Sequence, residues 1–255
     1  MVGMFKIITM ASAVEEKVID IFNEHFYDSG KVNVDGSVLK CWKSGGHGDQ
    51  TYLQILQNSC NPGFVKLGQL LGKDRLFSYI DKFGFGDKTG IDLSGESTGI
   101  IFSRDRIGNV ELATSAFGQG VSVTPIQQVM AVSAVVNGGY LYEPYIVKSI
   151  SDKTNTVIKE YYPKFKRQVI STETSSIMRY ALETVVAYGG GKSAYIEGYR
   201  VGGKTGTAQI SKDGIYVENA YILSFMGALP MNKPEIAVYV CLEKPHSLIQ
   251  YGGTI

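Results

Sequence analysis

Lys204-Thr205-Gly206-Thr207-Ala208-Gln209 sets an amine beside two hydroxyls and a glycine, a combination that can hold a carboxylate-bearing acyl substrate against a strand edge. Ser59-Cys60-Asn61 adds a third hydroxyl and a carboxamide, and Lys6 a second amine. A serine nucleophile needs a base within hydrogen-bond reach, and a lysine one helical turn further along the same face serves if its amine is kept deprotonated. Two lysines in one pocket favour that state, because each ammonium lowers the other's pKa. Lys6 and Lys204 are candidates for such a pair. The Ser59 hydroxyl would then pass a proton toward a leaving amine, and Asn61 would hold a substrate amide through its carbonyl and NH₂. The position three residues before Lys6, where the nucleophile belongs, is Gly3. Each motif alone is unspecific, since Lys-Thr-Gly also occurs in ordinary turns. The order lysine, serine-x-asparagine, lysine-threonine-glycine within one domain-sized chain is more telling, because a sheet and a helical lobe can bring all three to one cleft.

The elements that must position these groups are legible as patterns. Apolar residues at helical spacing predict a buried helix over Met4 to Val18, with Glu15-Glu16-Lys17 on its wet side. Val32, Val34 and Val38 around Asp35-Gly36 predict a hairpin over Lys31 to Trp42. Helices follow at Tyr52 to Gln57 and Pro62 to Phe83, leaving Ser59-Cys60-Asn61 on a loop between them. Ser122 to Val136 reads as a helix capped by Thr124 and opened by Pro125, and Ser171 to Val186 as an amphipathic helix. An exposed hairpin is expected over Val147 to Tyr162, around Lys153-Thr154-Asn155. Three strands close the pattern, Arg200 to Gln209, Ala220 to Leu229 and Glu235 to Glu243, with turns at Asp213-Gly214 and Pro230 to Pro234. Helices first and an antiparallel sheet late give a mixed α/β (α+β) class.

Composition sets the outer bounds. A chain of 255 residues with 44% hydrophobic residues can bury a sizeable core as one domain, 1–255. With 25 basic against 24 acidic residues there is no electrostatic footprint for a nucleic-acid partner. No apolar run is long enough to span a membrane, and no secretory signal is recognisable. The chain reads as cut at both ends.

Several stretches together resemble the transpeptidase domain of class B penicillin-binding proteins, and the sporulation-type members most of all. They are Phe5-Lys6-Ile7-Ile8-Thr9, Ser59-Cys60-Asn61-Pro62, Gly86-Asp87-Lys88-Thr89-Gly90-Ile91-Asp92-Leu93, Phe117-Gly118-Gln119-Gly120 with Thr124-Pro125, and Gly202-Gly203-Lys204-Thr205-Gly206-Thr207-Ala208-Gln209. The resemblance implies the penicillin-binding-protein and serine β-lactamase-like fold, a central antiparallel sheet flanked by helices. It implies a D,D-transpeptidase that cross-links peptidoglycan stem peptides through a serine acyl-enzyme, with β-lactams as substrate mimics, a glycosyltransferase as partner, and an anchored parent at the extracytoplasmic face of the membrane. Lys6 would be the general base, Ser59 the proton relay, Asn61 a substrate anchor, and Lys204, Thr205, Gly206 and Thr207 the carboxylate-binding edge. The Thr207 N–H would furnish half of an oxyanion hole. Gly3 stands at the nucleophile position, so this chain is expected not to acylate. The alternative is a non-catalytic β-lactam or peptidoglycan-binding or sensor module. The family's first sheet strands, pedestal domain, anchor and final helix are not seen, which would leave the sheet with an unpaired edge. A β-lactamase reading lacks a recognisable glutamate to activate the deacylating water. A purely structural partner in a division or sporulation complex is the remaining alternative.

The chemistry itself requires no cofactor, but a second constellation suits zinc. Cys41 and His47 lie six residues apart, and Cys60 sits inside the serine-x-asparagine motif. If Asp35-Gly36 is a two-residue turn, Gly30 pairs with Cys41 and Asp28 comes close to it, while Asp35 is stranded at the tip. Asp28, Cys41, His47 and Cys60 then offer a tetrahedral O, S, N, S set for structural zinc, with Asp49 in reserve. A Cys41–Cys60 disulfide and free thiols are the alternatives. The resemblance adds that some clostridial-type relatives carry such a metal. Cys241, in a strand expected to be buried, reads as a packed thiol.

Overall fold

The structure, a computed structural model, describes residues 2–212, 215–246 and 252–253. Helix α1 (Val2–Glu15) is buried almost throughout, with Ile7, Met10, Ala11 and Ala13 fully inaccessible. It is therefore a central helix rather than a surface one, and it stops at Lys17, whose φ of 52° is left-handed. Its last residue, Glu15, is turned to use, accepting from the backbone and hydroxyl of Ser171.

Four short strands follow: β1 (His25–Asp28), β2 (Lys31–Val34), β3 (Ser37–Lys40) and β4 (Gly48–Thr51). β2 and β3 form the predicted hairpin, with Asp35 and Gly36 both at positive φ (47° and 83°), the geometry of a type I′ turn. β1 pairs antiparallel with β4, and Asp28 lies opposite Gly48. Helix α2 (Tyr52–Gln57) is capped by Thr51 with Gln54 reciprocating, and α3 (Asn61–Lys82) follows, interrupted at Gly72 (φ 74°). Helix α4 (Asn109–Ala116) crosses α3 so closely that a Cβ on Gly68 would lie 2.6 Å from the Ala116 Cβ.

Helix α5 (Pro125–Val136) begins as predicted, with Thr124 and Gln127 forming a capping box. β5 (Tyr140–Glu143) leads into the exposed hairpin of β6 (Ser149–Ser151) and β7 (Val157–Glu160), and β8 (Lys164–Gln168) returns to pair with β5. Helix α6 (Thr172–Tyr188) is capped by the Ser171 hydroxyl. The chain then enters a three-stranded antiparallel sheet of β9 (Gly202–Lys212), β10 (Ile215–Leu229) and β11 (Ile236–Glu243), ordered β11-β10-β9. The turn expected at Asp213-Gly214 lies outside the described residues.

Helices α1, α5 and α6 pack on this sheet, giving the mixed α/β class and the helix-flanked antiparallel sheet. Met226 and Ala228 of β10 enter the same core as Ile8 of α1 and Leu182 of α6. Cys241 corrects the expectation of a packed thiol: it is exposed, because β11 is the outermost described strand of this sheet and is paired only with β10.

Candidate active site

The tight connection between α2 and α3 determines where three side chains point. Asn58 closes α2, Cys60 caps α3, and Ser59 between them takes a φ of 54°. A non-glycine residue in that region costs on the order of 1–3 kcal/mol and is held there by its surroundings. The Cys60 Sγ accepts from the Gly63 N–H at 3.4 Å, and Pro62 occupies the first turn, where its missing N–H does no harm. Asn61 is thus the first residue of α3 rather than a loop residue.

Ser59 and Asn61 both turn toward Lys6 of α1. The Lys6 Nζ lies 2.8 Å from the Ser59 backbone oxygen, 2.9 Å from its Oγ and 2.7 Å from the Asn61 Oδ1. Burial pushes the Lys6 pKa well below the usual lysine range, and the nearby Lys204 charge lowers it further. The Lys6 Nζ donates to all three of these oxygens. Asn61 spends one N–H on the Lys40 backbone oxygen at 3.1 Å, which leaves its second for a ligand.

β9 supplies the opposite wall. Lys204 is fully buried, with its pKa lowered to about 8 by that burial, and it lies opposite Met226 on β10. Thr205 and Thr207, two apart and so on one face, line a cleft of about 200 Å³ with Gly3, Lys6, Trp42, Ser59 and Asn61. A Cβ on Gly206 between them would lie 2.7 Å from the Ser224 Oγ, which would have to turn aside. Gly3 is as constrained. A Cβ at this position would run into the Thr205 carbonyl oxygen and lie 2.6 Å from the Gly206 Cα, so the first turn of α1 rests directly on the β9 backbone. The Thr207 hydroxyl also accepts from the Gly252 N–H at 3.1 Å. All the residues singled out for chemistry converge here, with Lys204 beneath the cleft. Trp42 was not singled out, and its only sequence signal is being the sole tryptophan, adjacent to Cys41.

Asp28, Cys41, His47 and Cys60 also come together, with their ligand atoms all within 4.8 Å of one another. The β2–β3 register brings Cys41 to Gly30, whose backbone oxygen accepts from its N–H at 2.9 Å. β1 and β4 set His47 beside Asp28, with Nδ1 2.8 Å from Oδ2. Cys60 Sγ lies 3.3 Å from the same Oδ2, and Cys41 Sγ 3.4 Å from His47 Nδ1. A tetrahedron with metal–ligand bonds of about 2.0–2.3 Å has edges of about 3.3–3.8 Å, so this donor set fits zinc with small adjustments. Burial pushes the Asp28 carboxyl up, but hydrogen bonds from His47, the Gly30 backbone and both thiols outweigh it and bring the pKa to about 2. A hydrogen bond from the Cys60 thiol lowers Cys41 to about 6, and Cys60 is correspondingly raised. Both thiols are free, which sets the disulfide alternative aside in this structure. Asp49, the reserve ligand, is exposed and pairs instead with His25 at 2.8 Å. Asp35 is at the hairpin tip, bonded to Asn109.

This fold, with the buried Lys6 meeting a serine-x-asparagine turn beside the β9 edge that buries Lys204, belongs to a family. The chain is a member of the penicillin binding protein transpeptidase domain family, which matches residues 4–255. It is 61% identical over 252 residues to stage V sporulation protein D of Bacillus subtilis, covering 98% of this chain and 39% of that protein. It is 30% identical over 210 residues to peptidoglycan D,D-transpeptidase FtsI of Escherichia coli, covering 82% of this chain and 34% of that protein. Penicillin binding protein 3 of Mycobacterium tuberculosis, solved with aztreonam, matches with a TM-score of 0.88 at 27% identity, over 96% of this chain and 56% of that one. The chain therefore spans well under half the length of these two curated relatives.

Proposed function

We propose that this chain carries the base and substrate-holding machinery of a D,D-transpeptidase that cross-links peptidoglycan stem peptides in sporulation or division wall synthesis, and that it forms no acyl-enzyme itself. The observation that carries this reading is the Lys6 amine, buried with Lys204 and in contact with Ser59 and Asn61 directly behind residue 3. A hydroxyl at residue 3 would give its proton to the neutral Lys6 amine as its oxygen bonded to the penultimate D-alanine carbonyl carbon. The C–N bond would then break, and the Ser59 hydroxyl would relay the proton to the departing amine of D-alanine. An amine from a second stem peptide would reverse the sequence and release the cross-linked product. Lys204, Thr205 and Thr207 would hold the terminal carboxylate, and a β-lactam would enter by the same contacts. Gly3 has no hydroxyl, so the first bond cannot form. By analogy with catalytic triads, that loss is worth roughly six orders of magnitude in turnover.

A second reading, a non-catalytic binding module for β-lactams or peptidoglycan, is favoured by the β9 backbone filling the space a side chain at residue 3 would need. Intact-mass measurement after incubation with a penicillin tests both. The unsubstituted chain is expected to show no adduct, and a stable one would refute the proposal. Gly3→Ser is expected to acquire an adduct slowly, since α1 must draw back from β9. A Gly3→Ser protein that is folded and binds penicillin yet never acylates would leave only the binding module.

Asp28, Cys41, His47 and Cys60 would hold zinc, which would brace the loop aiming Ser59 and Asn61 and take no part in bond making. Lys6 and Ser59 move the proton without it. The parent would lie at the extracytoplasmic face of the membrane, with glycan strands supplied by a glycosyltransferase partner. No helix among the described residues is long and apolar enough to cross a membrane.

A further inference from the structure

A second cavity, of about 540 Å³, opens between the end of α3, the first turns of α5 and the β5–β8 pair. It shares no lining residue with the cleft beside Lys6. One wall is the segment after α3, with Asp87, Lys88 and Thr89 of the Gly86–Leu93 motif, which the chemistry of the cleft leaves unused. That segment is tied down along its length. Glu96 accepts from the backbone of Thr89 and Gly90, Gln127 donates to the Asp87 oxygen, and Asp92 accepts from the backbone of Ile146 and Val147. Phe83, Met130, Leu141 and Tyr142 give the cavity an apolar side.

Its charged lining residues are three cations, Lys88, Lys166 and Arg167, against one acid, Asp87. Lys166 spends one N–H on the Thr89 backbone oxygen at 2.7 Å, which leaves two. Arg167 donates from Nε to the Lys82 backbone oxygen at 2.8 Å and from Nη2 to that of Asp81 at 3.3 Å, which leaves Nη1 unspent. Lys88 makes no hydrogen bond or ion pair among the described residues. The neighbouring acids are already engaged, Glu143 with Lys164 at 2.8 Å and Glu96 with Thr89 and Gly90. Like charges gathered around one hollow favour an anion between them.

We propose that this cavity is a binding site for a small dianion with an apolar stem: Lys88, Lys166 and Arg167 take up the charge, and the side of Phe83, Met130, Leu141 and Tyr142 takes up the stem. Its volume is in the range of small-molecule sites. Two negative charges match a lining whose three cations exceed its acids by two. A dicarboxylate, as a peptide can present, and a phosphate ester share this chemistry. The Arg167 guanidinium, held by two backbone oxygens, suits either, because its N–H groups match the oxygens of both.

Phenylsuccinate and phenyl phosphate carry the same ring on the two kinds of dianion, and benzyl alcohol carries it without charge. Each is titrated into the full chain by calorimetry. At least one dianion is expected to bind saturably, and the tighter of the two identifies the source, carboxylate or phosphate. Raising sodium chloride from about 0.05 M to about 0.5 M should weaken that binding. Lys88→Gln, which disturbs no described contact, should weaken it about fivefold, and Lys166→Met about tenfold. Lys166 also holds the Thr89 oxygen, so the melting temperature of its variant is measured alongside, and Lys88→Gln alone decides if Lys166→Met does not fold. Saturable binding of neither dianion would overturn the proposal, as would benzyl alcohol binding as tightly as they do. Unchanged affinity in Lys88→Gln and in a folded Lys166→Met would overturn it too. An excess of benzylpenicillin should leave the titration as it was. Its loss would place the dianion in the cleft beside Lys6 and equally overturn the proposal.

Discussion

At the scale of single residues, the site turns on burying two amines that water would keep charged. Lys6 is compensated by three oxygens, whereas the described hydrogen bond of Lys204 is one contact of 3.3 Å to the Thr205 backbone oxygen. Burial holds Lys204 at about 8, while lysines of the unfolded chain titrate near about 10.4. Between those values the unfolded state binds more protons than the folded one, so stability rises with pH across that window. Lys6, also lowered, acts in the same direction. Lys204→Met removes one contribution. Urea midpoints at pH about 7.5 and about 9.5 should therefore differ less in the variant than in the parent. An identical difference in both would mean that Lys204 is not buried as an ammonium.

At the scale of elements, the turn between α2 and α3 joins the cluster and the candidate catalytic groups in three consecutive residues. Cys60 both caps α3 and offers a thiol to the cluster. Cys60→Ser keeps an oxygen for the cap and loses the soft donor, whereas Cys60→Ala loses both. Zinc content after dialysis should be near one equivalent for the parent and well below it for both variants. In chelator, the alanine variant should be less stable than the serine variant by about 1 kcal/mol. A parent with well under one equivalent would sink the zinc proposal. Much of this element was legible in the sequence. Asp35-Gly36 determines the hairpin register, and that register by itself places Asp28 near Cys41. β1 and β4 were not legible, because His-Phe-Tyr-Asp and Gly-Asp-Gln-Thr carry no clean apolar alternation and are held by pairing with each other. The β5–β8 pairing escaped for another reason: a whole hairpin is inserted between its partners. Trp42 escaped because nothing local marks a residue that meets Asn58 and His47.

At the scale of the whole molecule, the sheet carries an apolar stripe. Ile236, Val238, Val240 and Leu242 alternate along one face of β11 and are all exposed, while Ala237 and Tyr239 between them pack against the core. A contiguous exposed apolar face of this kind invites association between copies. Sedimentation of the isolated chain should show association that grows with concentration, and Val240→Lys should reduce it. A strictly monomeric parent at high concentration would argue against a sticky face. The helices and the late sheet were readable from periodicity, but which strand lay outermost was not, and Cys241 was misplaced for that reason.

The contact between Gly3 and β9 also bears on how such a chain can change over generations. At residue 3 the strand backbone occupies the room that a side chain would need. On the proposed reading, a codon change to serine at residue 3 would meet a background that does not welcome it, and a compensating shift in α1 or β9 would have to come first. Losing a hydroxyl there would take one step and regaining it at least two, so the contact would act as an epistatic ratchet.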